Sequence, residues 1–151
     1  LTRHIAQLDQ IIATIEAEIE ALLAGQRQLA ERARVLRSVP GIGATLAPVL
    51  MALMPELGRL NRRQAASLAA CAPHPKDSGK SNSYRRTTGG RRQLRPALFI
   101  AALSAARGTS SLAITYKRLV ATGKPKRLAL AAIMRKIIVI ANARIEMLLH
   151  N

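Results

Sequence analysis

One serine in this chain stands where a nucleophile could work. Ser78 lies between Asp77 and Gly79, and Lys76, Lys80, Arg85, Arg86, Arg91, Arg92 and Arg95 crowd the same stretch. A serine hydroxyl can attack a phosphodiester when cations stabilise the developing charge and a base or metal takes its proton. Loop serines are common, however, so on spacing alone an ordinary solvated serine is the simpler reading. The basic run is a firmer signal than the hydroxyl. It lies in a Gly/Ser-rich stretch that opens onto a helix N-terminus, an arrangement suited to phosphate.

A second phosphate-binding candidate is the turn Val39-Pro40-Gly41-Ile42-Gly43. It has the form of the hairpin in a helix-hairpin-helix motif, where Gly41 and Gly43 let the backbone approach a phosphate unobstructed. The competing reading is a tight interhelical turn that needs glycine for geometry alone. Other chemistry is thin. Five of the eight carboxylates fall within residues 1–36, leaving Glu56, Asp77 and Glu146 scattered. A two-metal carboxylate centre needs several acids at one point, so none is expected in this chain. His4, His74 and His150 are isolated, and Cys71 is most simply a small buried apolar residue.

The elements that must carry these groups read as helical throughout. Leu1, Ile5, Leu8, Ile12, Ile15, Ile19, Leu22, Gln26, Leu29, Ala33 and Leu36 alternate spacings of four and three, which is a heptad seam. Ile5, Ile12 and Ile19 share one core position, and Leu1, Leu8, Ile15 and Leu22 the other, a pattern that favours a parallel pair. Gly25 and Gln26 weaken the seam midway. The expectation is one coiled-coil helix over residues 1–36 that forms a homodimer or higher oligomer; the alternative is a helix packed on its own domain. Residues 37–151 form the second unit. Its expected helices are Ala44–Met54, Arg62–Ala70 behind an Asn61/Gln64 capping box, Arg91–Arg107, Leu112–Thr122 and a last helix from Pro125 to Leu149. Residues 73–90 lack any period and read as a long loop. No segment shows strand alternation, so the fold class is all-α.

Charge sets the partner. The 151 residues carry a net +16, and residues 76–107 and 108–151 each hold eight Lys/Arg against one acid. Such a field attracts a polyanion. With Phe99, Tyr84 and Tyr116 as the only aromatic residues, a module that reads single strands by base stacking is excluded. The lone cysteine excludes a disulfide framework. No apolar run is long enough to span a bilayer, so a cytoplasmic bacterial protein without membrane partners is expected. The chain opens on Leu1, as a piece of a longer protein would.

Taken in order, Val39-Pro40-Gly41-Ile42-Gly43, Pro55-Glu56-Leu57-Gly58, Ala72-Pro73, Asp77-Ser78-Gly79-Lys80, Gly89-Gly90-Arg91, Tyr116-Lys117-Arg118-Leu119 and Gly123-Lys124-Pro125-Lys126 closely resemble the DEDD-type insertion-sequence transposases, the group that includes the Piv-type DNA invertases. The likeness covers about residues 36–145, and the family too has a coiled coil before this domain. Where family members commonly have Gly five positions after the serine and an aliphatic residue at nine, this chain has Ser83 and Thr87.

The resemblance implies a C-terminal transposase domain that works with a RuvC-like domain holding divalent metal (Mg), with no cofactor in this part. It implies that Ser78 is the nucleophile in DNA strand cleavage and exchange, often directed by a guide RNA. Position and charge together make Lys76, Lys80, Arg85, Arg86, Gly89, Gly90, Arg91 and Arg95 the nucleic-acid contacts, beside Gly41 and Gly43. The alternative function is a non-catalytic helix-hairpin-helix module for DNA binding and dimerisation. Either way, the isolated chain is expected not to cleave DNA.

Overall fold

The computed structural model describes residues 1–72 and 89–150. Among them the regular structure is seven α-helices and no strand: α1 Thr2–Gly25, α2 Arg27–Arg37, α3 Leu46–Leu53, α4 Arg62–Leu68, α5 Leu94–Arg107, α6 Ser111–Ala121 and α7 Lys126–Leu149. The all-α reading holds. Local signals placed most boundaries. Asn61 accepts from Arg63 and Gln64 N–H while Gln64 returns a bond to the Asn61 N–H, completing the capping box. Ser110 caps α6 through Ala113 N–H, and Pro125 stands at the N-cap of α7. Pro48 and Pro96 fall in the first turns of α3 and α5, where a missing N–H costs no intrahelical bond.

The expected single helix of residues 1–36 is two helices. Gln26 takes an extended conformation (φ −126°, ψ 111°), ending α1 at Gly25 and starting α2 at Arg27. The break divides the heptad seam between two environments. On α2 the seam turns into the domain, with Ala33 and Leu36 buried. On α1, Leu1, Ile5, Leu8, Ile12, Ile15 and Leu22 remain at least half exposed, and Leu23 is the only buried residue of the helix. The reading of a helix packed on its own domain therefore describes α2, while the α1 half of the seam faces solvent.

The core forms around α7, which packs against α2, α4, α5 and α6. Being surrounded, α7 buries residues all along its length: Ala129, Leu130, Ile133, Met134, Ile137, Ile138, Ala141, Asn142 and Ile145. Packed against it, α5 buries Ala101, Ala102, Ala105 and Ala106, small side chains that allow close backbone approach to its neighbours. No single helix among the described residues is long and apolar enough to cross a membrane.

The one buried polar side chain of α7, Asn142, fixes the irregular segment between α3 and α4. Its Oδ1 accepts from Gly58 N–H at 2.9 Å and its Nδ2 donates to Leu60 O at 2.7 Å. Asn142→Leu leaves both backbone groups unmatched, which should cost about 2–4 kcal/mol and lower the melting temperature by roughly 5–15 °C. Thermal unfolding followed by circular dichroism checks this; an unchanged midpoint would show that water replaces the amide.

Candidate nucleic-acid interface

The basic segment is bounded by one built junction at the C-terminal end of α4. On the entering side, Cys71 N–H bonds Ala66 O at 2.8 Å and Ala70 N–H bonds Ser67 O at 3.0 Å. That pair of bonds is a Schellman turn, and it places Ala70 in the left-handed region at φ 56°, where glycine is usual. On the leaving side, Gly90 (φ +65°) lies against the same turn: a Cβ there would come within 2.3 Å of Ser67 O and 2.6 Å of Ala70 N. Arg91 N–H then bonds Leu68 O at 2.7 Å. Gly90 and Arg91 are thus held against the turn that ends α4. Lys76, Ser78, Lys80, Arg85 and Arg86, expected to carry chemistry or contact nucleic acid, lie outside the described residues.

Arg91 closes this junction from its side chain as well. Its guanidinium donates to both carboxylate oxygens of Glu56, at 2.8 and 2.6 Å, and to Leu53 O. Glu56 is itself positioned by the core. Arg32 of α2 donates to Pro55 O (2.8 Å) and Leu57 O (3.0 Å) on one side of it, while Asn142 holds Gly58 on the other. A sequence reading finds the arginine and treats Glu56 as a stray acid. The partners are 35 residues apart, and the only sign in the sequence is that both fall in family-like motifs.

The hydrogen bonds from Arg91 hold the Glu56 carboxyl at about 2, below its ordinary 4.5; a backbone bond and the charge of Arg91 add to this, and desolvation opposes it. A depressed acid contributes its stability above the ordinary value and loses it as pH falls through the folded one. Glu56→Gln should therefore be less stable than wild type at pH 7, and the gap should close between about pH 4.5 and pH 2. Urea unfolding at stepped pH measures it; a gap that does not change with pH would exclude the ion pair as its source.

The other expected contacts divide. Arg92 is exposed, and Arg95 is half-buried on α5. The charges of Arg95 and of Arg135 of α7 both favour the Cys71 thiolate. Burial nevertheless pushes the Cys71 thiol up to about 11, which removes it as a nucleophile near neutral pH. Lys117, Arg118, Lys124, Lys126, Arg127 and Lys136 stand exposed on α6, α7 and the connection between them.

In the turn between α2 and α3, Gly41 and Gly43 differ. Gly41 (φ +92°) lies under α5, where a Cβ would come within 2.4 Å of Ala101 O, so packing alone requires it. Gly43 has open space around it and no such backbone demand. Among the described residues, no three His, Cys, Asp or Glu side chains are grouped to hold a metal ion.

Residues 33–117 match the family model described as Transposase IS116/IS110/IS902 family. The chain is 33% identical over 139 residues to the pilin gene-inverting protein of Moraxella bovis and 31% identical to that of Moraxella lacunata, covering 89% of this chain and 43% of each relative. It is 32% identical over 124 residues to the insertion element IS110 uncharacterized 43.6 kDa protein of Streptomyces coelicolor, covering 81% of this chain and 30% of that protein. The chain therefore spans less than half the length of these curated relatives.

Proposed function

Because the chain belongs to the IS116/IS110/IS902 transposase family, we propose that it is the C-terminal, DNA-handling part of a longer recombinase, with Ser78 as the nucleophile. The observation that carries this reading is that the family match, residues 33–117, contains both the Gly41–Gly43 turn and the basic segment closed by Glu56 and Arg91. Ser78 Oγ forms a bond to phosphorus as a backbone phosphorus–oxygen bond breaks, and the strand is later handed to a second hydroxyl. Lys76, Lys80, Arg85, Arg86, Arg92 and Arg95 neutralise phosphate in this reaction. Guide RNA is a second polyanionic partner for the same charge.

Divalent metal belongs to the RuvC-like part of such an enzyme. The described residues do not fit it: Glu56 is committed to Arg91, and no acid cluster forms elsewhere among them. No step here passes through a metal. The exposed seam of α1 joins two copies of the enzyme.

Nucleophilic attack is tested with the full-length parent enzyme and its DNA on a denaturing gel, wild type against Ser78→Ala. A protein–DNA adduct should form with the wild type and be absent from the variant. An adduct that persists moves the nucleophile elsewhere, and strand exchange without any adduct makes this domain a binding module. Backbone grip by the turn has its own test. Gly43→Val should leave the melting temperature unchanged, because nothing crowds the position, while weakening DNA binding roughly tenfold, as the loss of about 1.4 kcal/mol of contact would. Unchanged affinity would remove the turn from the interface.

A further inference from the structure

We propose that α1 pairs antiparallel with α1 of a second copy, so that its N-terminal end seats in the groove between the partner's α1 and α3. This rests on the reading that α1 joins two copies, and it settles how they are joined.

The groove lies where α1 meets the domain. It measures about 760 Å³ and is walled by Ile19, Leu22 and Leu23 on one side and Pro48, Val49 and Met51 on the other. Glu16 and Glu20 stand at its edge, Glu20 already ion-paired with Arg37 of α2. The exposed seam of α1 runs directly into it, because Ile12 and Ile15 precede Ile19 and Leu22 at heptad spacing. An apolar helix end should therefore fill it, and a basic one should fill it best.

The N-terminal end of α1 is both. Leu1 and Ile5 are exposed there beside Arg3 and His4, whereas Glu16, Glu18 and Glu20 make the other end acidic. Antiparallel layers place Ile5 against the partner's Ile15, Leu8 against the partner's Ile12 and Leu1 against the partner's Ile19. His4 then falls opposite the partner's Glu18. A parallel pair instead brings Glu16, Glu18 and Glu20 of both copies to one level and leaves His4 without an acidic partner.

Ile11 decides in the same direction. It lies outside the seam yet is exposed on α1. In a parallel pair it faces the partner's Glu16; in the antiparallel pair it meets the partner's Ile11 across the two-fold axis and extends the apolar contact. Against this stands one like-charge contact, Asp9 with the partner's Asp9, at an exposed flank where such repulsion is small. The alternation of Ile and Leu alone favours the parallel sense, and the charge pattern together with Ile11 outweighs it. The resulting contact is two-fold symmetric and closed.

Single cysteines in the full chain test the sense, with the unsubstituted chain as control because Cys71 is buried. Ile5→Cys and Ile15→Cys chains are oxidised separately, and again after being unfolded and refolded together. The antiparallel pair predicts cross-linked dimer only in the mixture, up to roughly half of it, the share of mixed pairs in random two-fold association. Cross-linking of either variant alone, or none in a mixture that sediments as a dimer, overturns the proposal. A monomer by sedimentation overturns the pairing of copies itself, and so is distinct from a wrong orientation.

Discussion

Strand exchange by the full-length parent enzyme carrying Ser78→Ala is expected to fall by at least about a thousandfold, with DNA affinity kept within about twofold. The asymmetry follows from what the hydroxyl does in the proposed reaction. It supplies the oxygen that bonds to phosphorus, and alanine has none to offer. It contributes little to binding, because affinity for a polyanion comes from the net +16 charge and the counterions it displaces. The variant should therefore show normal steepness in the salt dependence of binding. Ser81→Ala, a nearby hydroxyl without a proposed role, should recombine as wild type does. If Ser78→Ala and Ser81→Ala fall together, the hydroxyls matter to folding of the segment and not to attack. If neither falls, the nucleophile lies outside this domain.

Gly90→Ala should destabilise the chain by about 3–5 kcal/mol, a large effect for one methyl group. A Cβ at this position lies 2.3 Å from Ser67 O, 2.6 Å from Ala70 N and 2.7 Å from Leu68 O. All three are backbone atoms of the α4 terminus, so no side-chain rotation relieves the contact. Ala70, already left-handed in the same turn, leaves little room for adjustment. The residue must either leave the α4 turn, breaking the Arg91 N–H bond to Leu68 O, or push that turn into the core beneath it, where Ala65, Ala66 and Ala69 are fully buried. Urea denaturation compares it with Gly43→Ala, which should change stability by less than about 0.5 kcal/mol because nothing crowds that site. Equal midpoints for the two variants would mean that residues 89–91 do not rest on α4. Loss of DNA binding in Gly90→Ala under conditions where it stays folded would tie the junction to function as well.

Much of this protein was legible without a structure, and for a common reason. Asn61 with Gln64, Ser110, Pro125 and the apolar periods act over three or four residues, so the chain states them locally and the helices begin close to where those signals lie. Net charge is likewise a property of composition, and it pointed to nucleic acid. What the sequence alone left open were contacts between residues far apart along it. Glu56 and Arg91 look like an isolated acid and one more cation until the segment pinned by Arg32 and Asn142 brings them to 2.6 Å. The heptad spacing continues past Gly25, weakened only at Gln26 and Ala33, yet its first half faces solvent and its second half faces the core, because α2 alone has α7 and α3 to bury against. Gly41 and Gly43 are the same residue two positions apart. Only the passage of Ala101 of α5 over one of them makes it indispensable for packing and leaves the other open. Periodicity and capping are fixed by neighbours along the chain, whereas the use of a charge, a seam or a glycine is fixed by whatever packs against it.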